Sequence, residues 1–467
     1  MSTDRYSAIG SWVDSHRGDI VKAISRLVAI KSVRGEPQEG MPFGSGPKRA
    51  LDEALEICAA LGFQTAEYGG AVGTADLCEG ERKLDILAHL DVVDAGKGWD
   101  TDPFTAVEKE GCLYGRGTDD NKGALIAALY AMLCVKELGI PLKNSVRLIM
   151  GTDEESGSGD LPYYFSTQKS APNTFTPDSE FPVCNVEKGR YTASLTAKWD
   201  KKEVLPRVTA FEGGYRINVV PAEAFALVEG LGAEDTGSLQ EAAELLGVSL
   251  EVRKSEKGIE LKVSGTAAHA SRPETGTNGI TAMLALLSGL PLADCPSSSA
   301  ICALGELFAH GDFNGKALGI DMSDDVSGEM TISLTRLKLD DAGAEGCFDA
   351  RIPVCATKEN CSSVAEARLA ERGFAADGKM IPAHVTPCDS KFVQTLLRCY
   401  QRVSGQKGEC YSMGGGTYVH DIEGGVAFGA TFPDFVSNLH GANERVCIDN
   451  LLDACKIFAL VITELCS

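Results

Sequence analysis

No stretch of this 467-residue chain stays apolar for the roughly 20 residues that a bilayer-spanning helix requires, so membrane insertion is not expected. The first residues, Met1 to Arg5, have neither the basic start nor the apolar core of a secretory leader. Positive charge is scarce: 44 Lys and Arg stand against 66 Asp and Glu, a formal net charge of −22. A surface of that sign repels phosphate, which argues against nucleic acid and anionic membrane as partners. The 16 cysteines include no CxxC pair, and many lie inside apolar runs such as Ala131 to Val135. That is the setting of reduced, core-filling thiols, not of a disulfide framework or a zinc ribbon. A cytoplasmic location is the expectation.

Several catalytic signatures are missing too. Gly414 to Gly416 is followed by no GK[ST], and Gly115-x-Gly117 has no third glycine at the spacing of a dinucleotide fingerprint. There is no Gly-x-Ser-x-Gly elbow, and no cysteine sits beside a histidine in a nucleophile pattern. Low-complexity segments and short-period repeats are likewise absent.

What is present suggests two domains, since the chain is too long for one ordinary core. Ile20, Ile24, Leu27 and Val28 recur at helical spacing, and Leu51, Ala54, Leu55, Cys58 and Leu61 mark a second helix stopped by Gly62. Leu84 to Ala88 and Val146 to Met150 read as buried strands, with His89 and Asp153-Glu154-Glu155 at their C-terminal ends. Sites in open α/β sheets form outside the carboxyl ends of strands, so both groups should meet at one edge. From Gly189 to about residue 381 the texture changes. β-like runs (Tyr191 to Ala197, Ile259 to Val263, Met330 to Leu337, Cys347 to Val354) alternate with helices at 238–246, 278–287 and 363–372. After Thr386 the first texture returns, with a helix through Phe392 to Val403, a strand over Gly425 to Thr431 and a closing helix through Leu451 to Leu465. The expected architecture is an α/β catalytic domain (1–188 and 382–467) interrupted by an inserted α+β lid domain (189–381) of two related halves.

The candidate chemistry centres on Gly115 to Gly123, where Asp119 and Asp120 sit in a glycine-rich loop ahead of an apolar helix, Ala124 to Leu138. Alone, such a loop is ordinarily a turn with an N-cap. In His89-x-Asp91 one ring nitrogen can take a metal while a carboxylate orients the ring through the other. Asp120 could bridge two cations, whereas Asp119 reads as a turn residue. Adjacent Glu154 and Glu155 point differently, so one can bind metal and the other reach a metal-bound water. Asp178 lies between Pro177 and Pro182, which stiffen the backbone. His440 occupies a polar loop before the last helix. A strand-end histidine, an acidic loop and a Pro-Asp turn each have a structural reading; as a set they suit two divalent metals. His269, in an Ala/Ser-rich turn, reads as simply exposed, and His16, His310, His384 and His420 as structural.

His89-Leu90-Asp91, the Gly115–Gly123 loop, Gly151 to Ser156, Thr176 to Pro182, Gly414 to Tyr418 and the late His440 resemble the co-catalytic metallopeptidases that include aminoacylase, carboxypeptidase G and tripeptidase T. Within them the pattern is most similar to the PepV-type bacterial dipeptidases. The resemblance implies a dinuclear zinc-peptidase-like fold with His89, Asp120 and Asp178 at one metal and Asp120, Glu155 and His440 at the other. It assigns Glu154 as general base and Asp91 as the partner of His89. In Gly265 to Pro273 it makes His269 the stabiliser of the tetrahedral oxyanion. Asn218 and Arg351 fall at positions that grip the substrate's terminal carboxylate, and Gly415 where the backbone approaches substrate. Asp rather than Glu at 178 resembles the aminopeptidase and dipeptidase side. One departure is Asn121, where Asp is usual after a peptide bond that is typically cis.

The implied activity is hydrolysis of dipeptides with a free C-terminal carboxylate, by attack of a dimetal-bridged water. Alternatives are an N-acyl-amino-acid deacylase with the same metals and a catalytically silent peptide- or metal-binding protein. Two divalent ions are expected, zinc first, with manganese or cobalt as alternatives. The partner is a small peptide substrate, and the large two-part lid resembles that of monomeric members.

Overall fold

In a computed structural model the structure describes residues 3–232 and 236–467; Met1 and Ser2, which entered the leader expectation, lie outside them. Among the described residues two compact units form: those up to Val186 with 385–411 and 416–467, and those from Glu187 to His384 with 412–415. The boundaries differ from the sequence reading by two or three residues at the crossings. The larger difference is Ser412–Gly415, which joins the second unit although it lies within the segment assigned to the first.

The first unit is built on a mixed sheet. Its strands follow the order Gln64–Tyr68, Val72–Asp76, Ser145–Gly151, Arg82–His89, Asn173–Thr176, Val426–Ala427, Val183–Glu187. The centre is parallel, as Arg82–His89 pairs in parallel with both Ser145–Gly151 and Asn173–Thr176. Arg82–His89 and Ser145–Gly151 are buried along most of their length on both faces, with helices packed against them. One edge is antiparallel, and its two strands have no apolar alternation that would have announced them. The helix Lys122–Glu137 is buried from Lys122 through Val135 on every side. Its all-round hydrophobicity has a cause: it lies against the sheet and is itself covered by the closing helix Ile448–Cys466. Among the described residues, no helix is long and apolar enough to cross a membrane.

Helix limits follow local chemistry where it is strong. Lys391–Ser404 buries Phe392, Val393, Leu396, Leu397 and Tyr400 on one stripe. Ser390 Oγ caps its start by accepting from the Val393 N–H at 3.2 Å, and Gly405 at φ +70° ends it. The expected strand over 425–431 is instead two short ones, Val426–Ala427 and Ala430–Thr431, in different sheets. Gly429 between them has φ +73°, and a Cβ there would stand 2.3 Å from the Phe181 ring.

The second unit carries an eight-stranded antiparallel sheet backed by helices, among them Gly279–Ser288 and Pro296–Leu307. Four strands (Ser249–Lys254, Gly258–Ser264, Glu223–Glu229, Arg207–Gly213) meet four others (Thr331–Leu339, Gly343–Ile352, Gly189–Lys198, Ala375–Ile381). The seam between the halves is short, three register pairs from Phe211↔Leu339 to Gly213↔Leu337. The ladders on either side of it run longer, so the sheet divides at this point.

Candidate metal centre

The parallel register His89↔Gly151 brings two strand ends to one edge of the first unit's sheet. His89 ends its strand there, and the turn Thr152–Glu155 leaves from the neighbouring one. Asn173–Thr176, on the other side of His89's strand, carries Asp178 to the same edge. Asp120 arrives from the loop that opens helix Lys122–Glu137, and His440 from the segment before the last helix.

His89 Nε2 lies 2.9 Å from Asp120 Oδ1 and 3.6 Å from Asp178 Oδ1. His440 Nε2 lies 2.9 Å from Asp120 Oδ2 and 3.2 Å from Glu155 Oε2. The two oxygens of Asp120 therefore face different imidazoles. Ligand atoms of His89, Glu154 and Asp178 fall within 4.8 Å of one another, as do those of His89, Asp120 and Glu155. Glu155 Oε1 is buried with no hydrogen-bond donor. A dry carboxylate oxygen with nothing to accept, among imidazoles and further carboxylates, is a donor set that divalent cations fit.

The electrostatics show how tightly these charges depend on one another. Burial works against ionised Asp120, yet hydrogen bonds from His440 and His89 hold its carboxyl well below the usual range. Burial likewise opposes the charge on His440, but Asp120 and Glu155 raise it to about 11. Burial and the nearby Asp120 charge push Glu155 up to about 7. Burial and the Asp178 carboxylate raise Glu154 well above its ordinary value.

Asp91 acts differently from the simple pattern. The His89 Nδ1 meets the Asp91 main-chain carbonyl at 3.0 Å, while the carboxylate stands farther away at 3.5 Å. The Asp91 carboxylate instead accepts the main-chain N–H groups of Glu154 and Glu155, each at 3.1 Å. One residue thus orients the imidazole and the acidic turn together.

Asn121 occupies the N-cap position of its helix without capping it. Its Nδ2 donates to the Pro177 carbonyl at 2.9 Å and to Asp178 Oδ1 at 3.1 Å. An ionised Asp has no N–H to give, so the amide suits this contact. The Asp120–Asn121 peptide bond is cis.

Two residues escaped the sequence reading. Glu444, fully buried, accepts the N–H groups of Gly117, Asp119 and Asp120 at 3.0–3.1 Å and pairs with Arg116 Nη1 at 2.6 Å. Arg116 Nη2 reaches the carbonyls of His440 and Gly441 at 3.3 and 3.0 Å. This pair ties the Asp120 loop to the His440 loop. Glu444 lies more than 300 residues from its partners, and nothing in the sequence pattern pointed to it.

The remaining expected residues belong to the second unit, where they adjoin one another. Val219–Val220 pairs with Ala268–His269, and the Ala270 N–H donates to the Asn218 carbonyl at 2.9 Å. His269 Nδ1 is 2.6 Å from Ser271 Oγ. Asp349 and the Gly414 carbonyl fix the Arg351 guanidinium at 2.9 and 2.5 Å, with Gly415 next in the chain.

Four carboxylates in so small a volume repel one another unless cations offset them. Stripping metal is therefore expected to lower the unfolding temperature. Free metal at a hundred times its dissociation constant stabilises by about 2.7 kcal/mol, worth roughly 1–2 °C per kcal/mol at this size. Coincident heating scans with and without chelator would exclude this coupling.

Comparison with known proteins agrees with this geometry. Residues 86–464 match the model of peptidase family M20/M25/M40. Over 458 residues the chain is 34% identical to "Putative dipeptidase YtjP" of Bacillus subtilis (strain 168), covering 96% of this chain and 97% of that protein. Among solved structures it is similar to the di-peptidase Dug1p of Saccharomyces cerevisiae, with a TM-score of 0.60 and 15% identity over 99% of this chain and 98% of that one. Human carnosine dipeptidase 1 gives a TM-score of 0.59 and 16% identity over 98% of both chains. At such identities the structural likeness is one of fold.

Proposed function

The chain belongs to peptidase family M20/M25/M40 and is a metallopeptidase of dipeptidase type, and we propose that it hydrolyses dipeptides bearing a free C-terminal carboxylate, with Glu154 as general base. The observation that carries the reading is the Asp120 carboxylate, with one oxygen toward His89 and the other toward His440. His89, Asp120 and Asp178 would hold one divalent ion, and Asp120, Glu155 and His440 a second, zinc being the first choice. When bound, such a pair lowers the pKa of water and polarises a peptide carbonyl.

The chain's own residues do the rest. Glu154, within reach of the first ligand set, takes a proton from the attacking water and returns it to the leaving amine. Asp91 holds the Glu154 and Glu155 amides and, through its carbonyl, the His89 ring, so base and ligands keep one geometry. His269 is assigned to the tetrahedral oxygen, a contribution usually large in such sites. Arg351, with its plane set by Asp349 and Gly414, is assigned with Asn218 to the substrate carboxylate, and the Gly415 backbone to close approach.

The test is a panel of dipeptides, a tripeptide and N-acetyl amino acids, assayed with chelated protein after adding back zinc or manganese. Metal-dependent release from dipeptides alone is the expected outcome. Cleavage of the acetylated compounds instead would make the protein a deacylase, and no turnover with either metal would refute the reading.

A further inference from the structure

Thr152, Asp153, Glu154 and Glu155 form the turn from which the base and one ligand project, and all four of their main-chain N–H groups end on buried carboxylates. Asp91 takes the last two. Asp160 Oδ2 takes the first two, at 2.5 Å from Thr152 and 3.0 Å from Asp153. Asp160 is fully buried, and the same oxygen accepts the hydroxyl of Tyr418, the last residue of the Gly414–Tyr418 run.

Three details show that this arrangement is built around the turn. Tyr418 is 1% exposed, and its ring stands edge-on to His89 at 6.3 Å between centroids. At Gly151 a Cβ would lie 2.0 Å from the Tyr418 hydroxyl and 2.4 Å from Asp160 Oδ2, so only glycine admits the pair. The other oxygen, Asp160 Oδ1, is buried with no hydrogen-bond donor. A buried carboxylate with one oxygen left without a donor is a poor choice for stability alone.

We propose that Tyr418 and Asp160 are positioning residues for hydrolysis: through the Thr152 and Asp153 amides they set the direction in which Glu154 and Glu155 leave the strand. The inference rests on the reading of Glu154 as general base. Asp91 and Asp160 grip consecutive amide pairs, so losing either grip frees the turn to shift by a fraction of an ångström. Displacements of this kind slow turnover far more than they weaken substrate binding.

Tyr418→Phe removes one hydroxyl and keeps the ring. In the metal-loaded enzyme its kcat should fall about tenfold or more while KM stays within about twofold. Amide hydrogen exchange should quicken over residues 152–155 and not in the rest of the first unit. Asp160→Asn, which keeps an acceptor oxygen, should retain most of the turnover that Asp160→Ala loses. Glu154→Gln serves as the reference. If that variant keeps turnover, the base assignment itself fails. If it is inactive while Tyr418→Phe and Asp160→Ala turn over like the parent, the positioning role alone is overturned. It is overturned as well if exchange quickens uniformly and the unfolding temperature falls in step with kcat, the mark of a merely structural contact.

Discussion

Glu154→Gln is expected to lower kcat by about a hundred- to ten-thousand-fold, the range associated with loss of a positioned acid–base group. Gln matches Glu in size, and the N–H of residue 154 would still donate to Asp91. The turn should therefore keep its shape while the group that accepts the proton is gone. Metal content should remain as in the parent, because the contacts of Asp120 with His89 and His440 and of Glu155 with His440 do not involve residue 154. Turnover and metal stoichiometry measured on the same preparation decide it. A variant that retains both activity and metal would remove Glu154 from the mechanism. One that loses activity only because it loses metal would make residue 154 a ligand instead.

Asp120→Ala should have the other large effect, emptying both metal positions at once. Asp178→Ala or Glu155→Ala should weaken one position more than the other, since each approaches a different imidazole. The substitution leaves the surrounding loop its main support, because Glu444 holds the main-chain N–H groups of residues 117, 119 and 120, not the Asp120 side chain. Circular dichroism should accordingly match the parent while metal titration shows no saturable binding at concentrations that fill it. Retention of one tightly bound ion by Asp120→Ala would refute the shared carboxylate.

These expectations draw on two kinds of information. His89, Glu154 and Glu155 were legible because they stand at the ends of short apolar runs that read as buried strands, and parallel strands carry their C-terminal ends to a common edge, whereas Asp178 was picked out by the prolines that flank it. Asp120 was legible from the glycine-rich loop preceding an apolar helix. The pattern also separated the inserted segment near Gly189, where periods of two replace continuous apolar runs. The Gln64–Asp76 edge was not legible: it alternates too weakly, and its pairing partner, Ser145–Gly151, lies some 70 residues on.

The chain's composition and periodicity determined its class, its two-part organisation and which residue types could serve as ligands, because those depend on neighbours within a few positions. Folding determined who holds whom. Glu444 beneath the Asp120 loop, Arg116 reaching the His440 loop, Tyr418 on Asp160 and Asn121 on Asp178 are polar contacts between segments remote in sequence. Ser412–Gly415 joining the second unit is of the same kind. A buried charge must find its partner somewhere, but nothing in the spacing of residues says where. That address exists only once the sheet has brought its edges together.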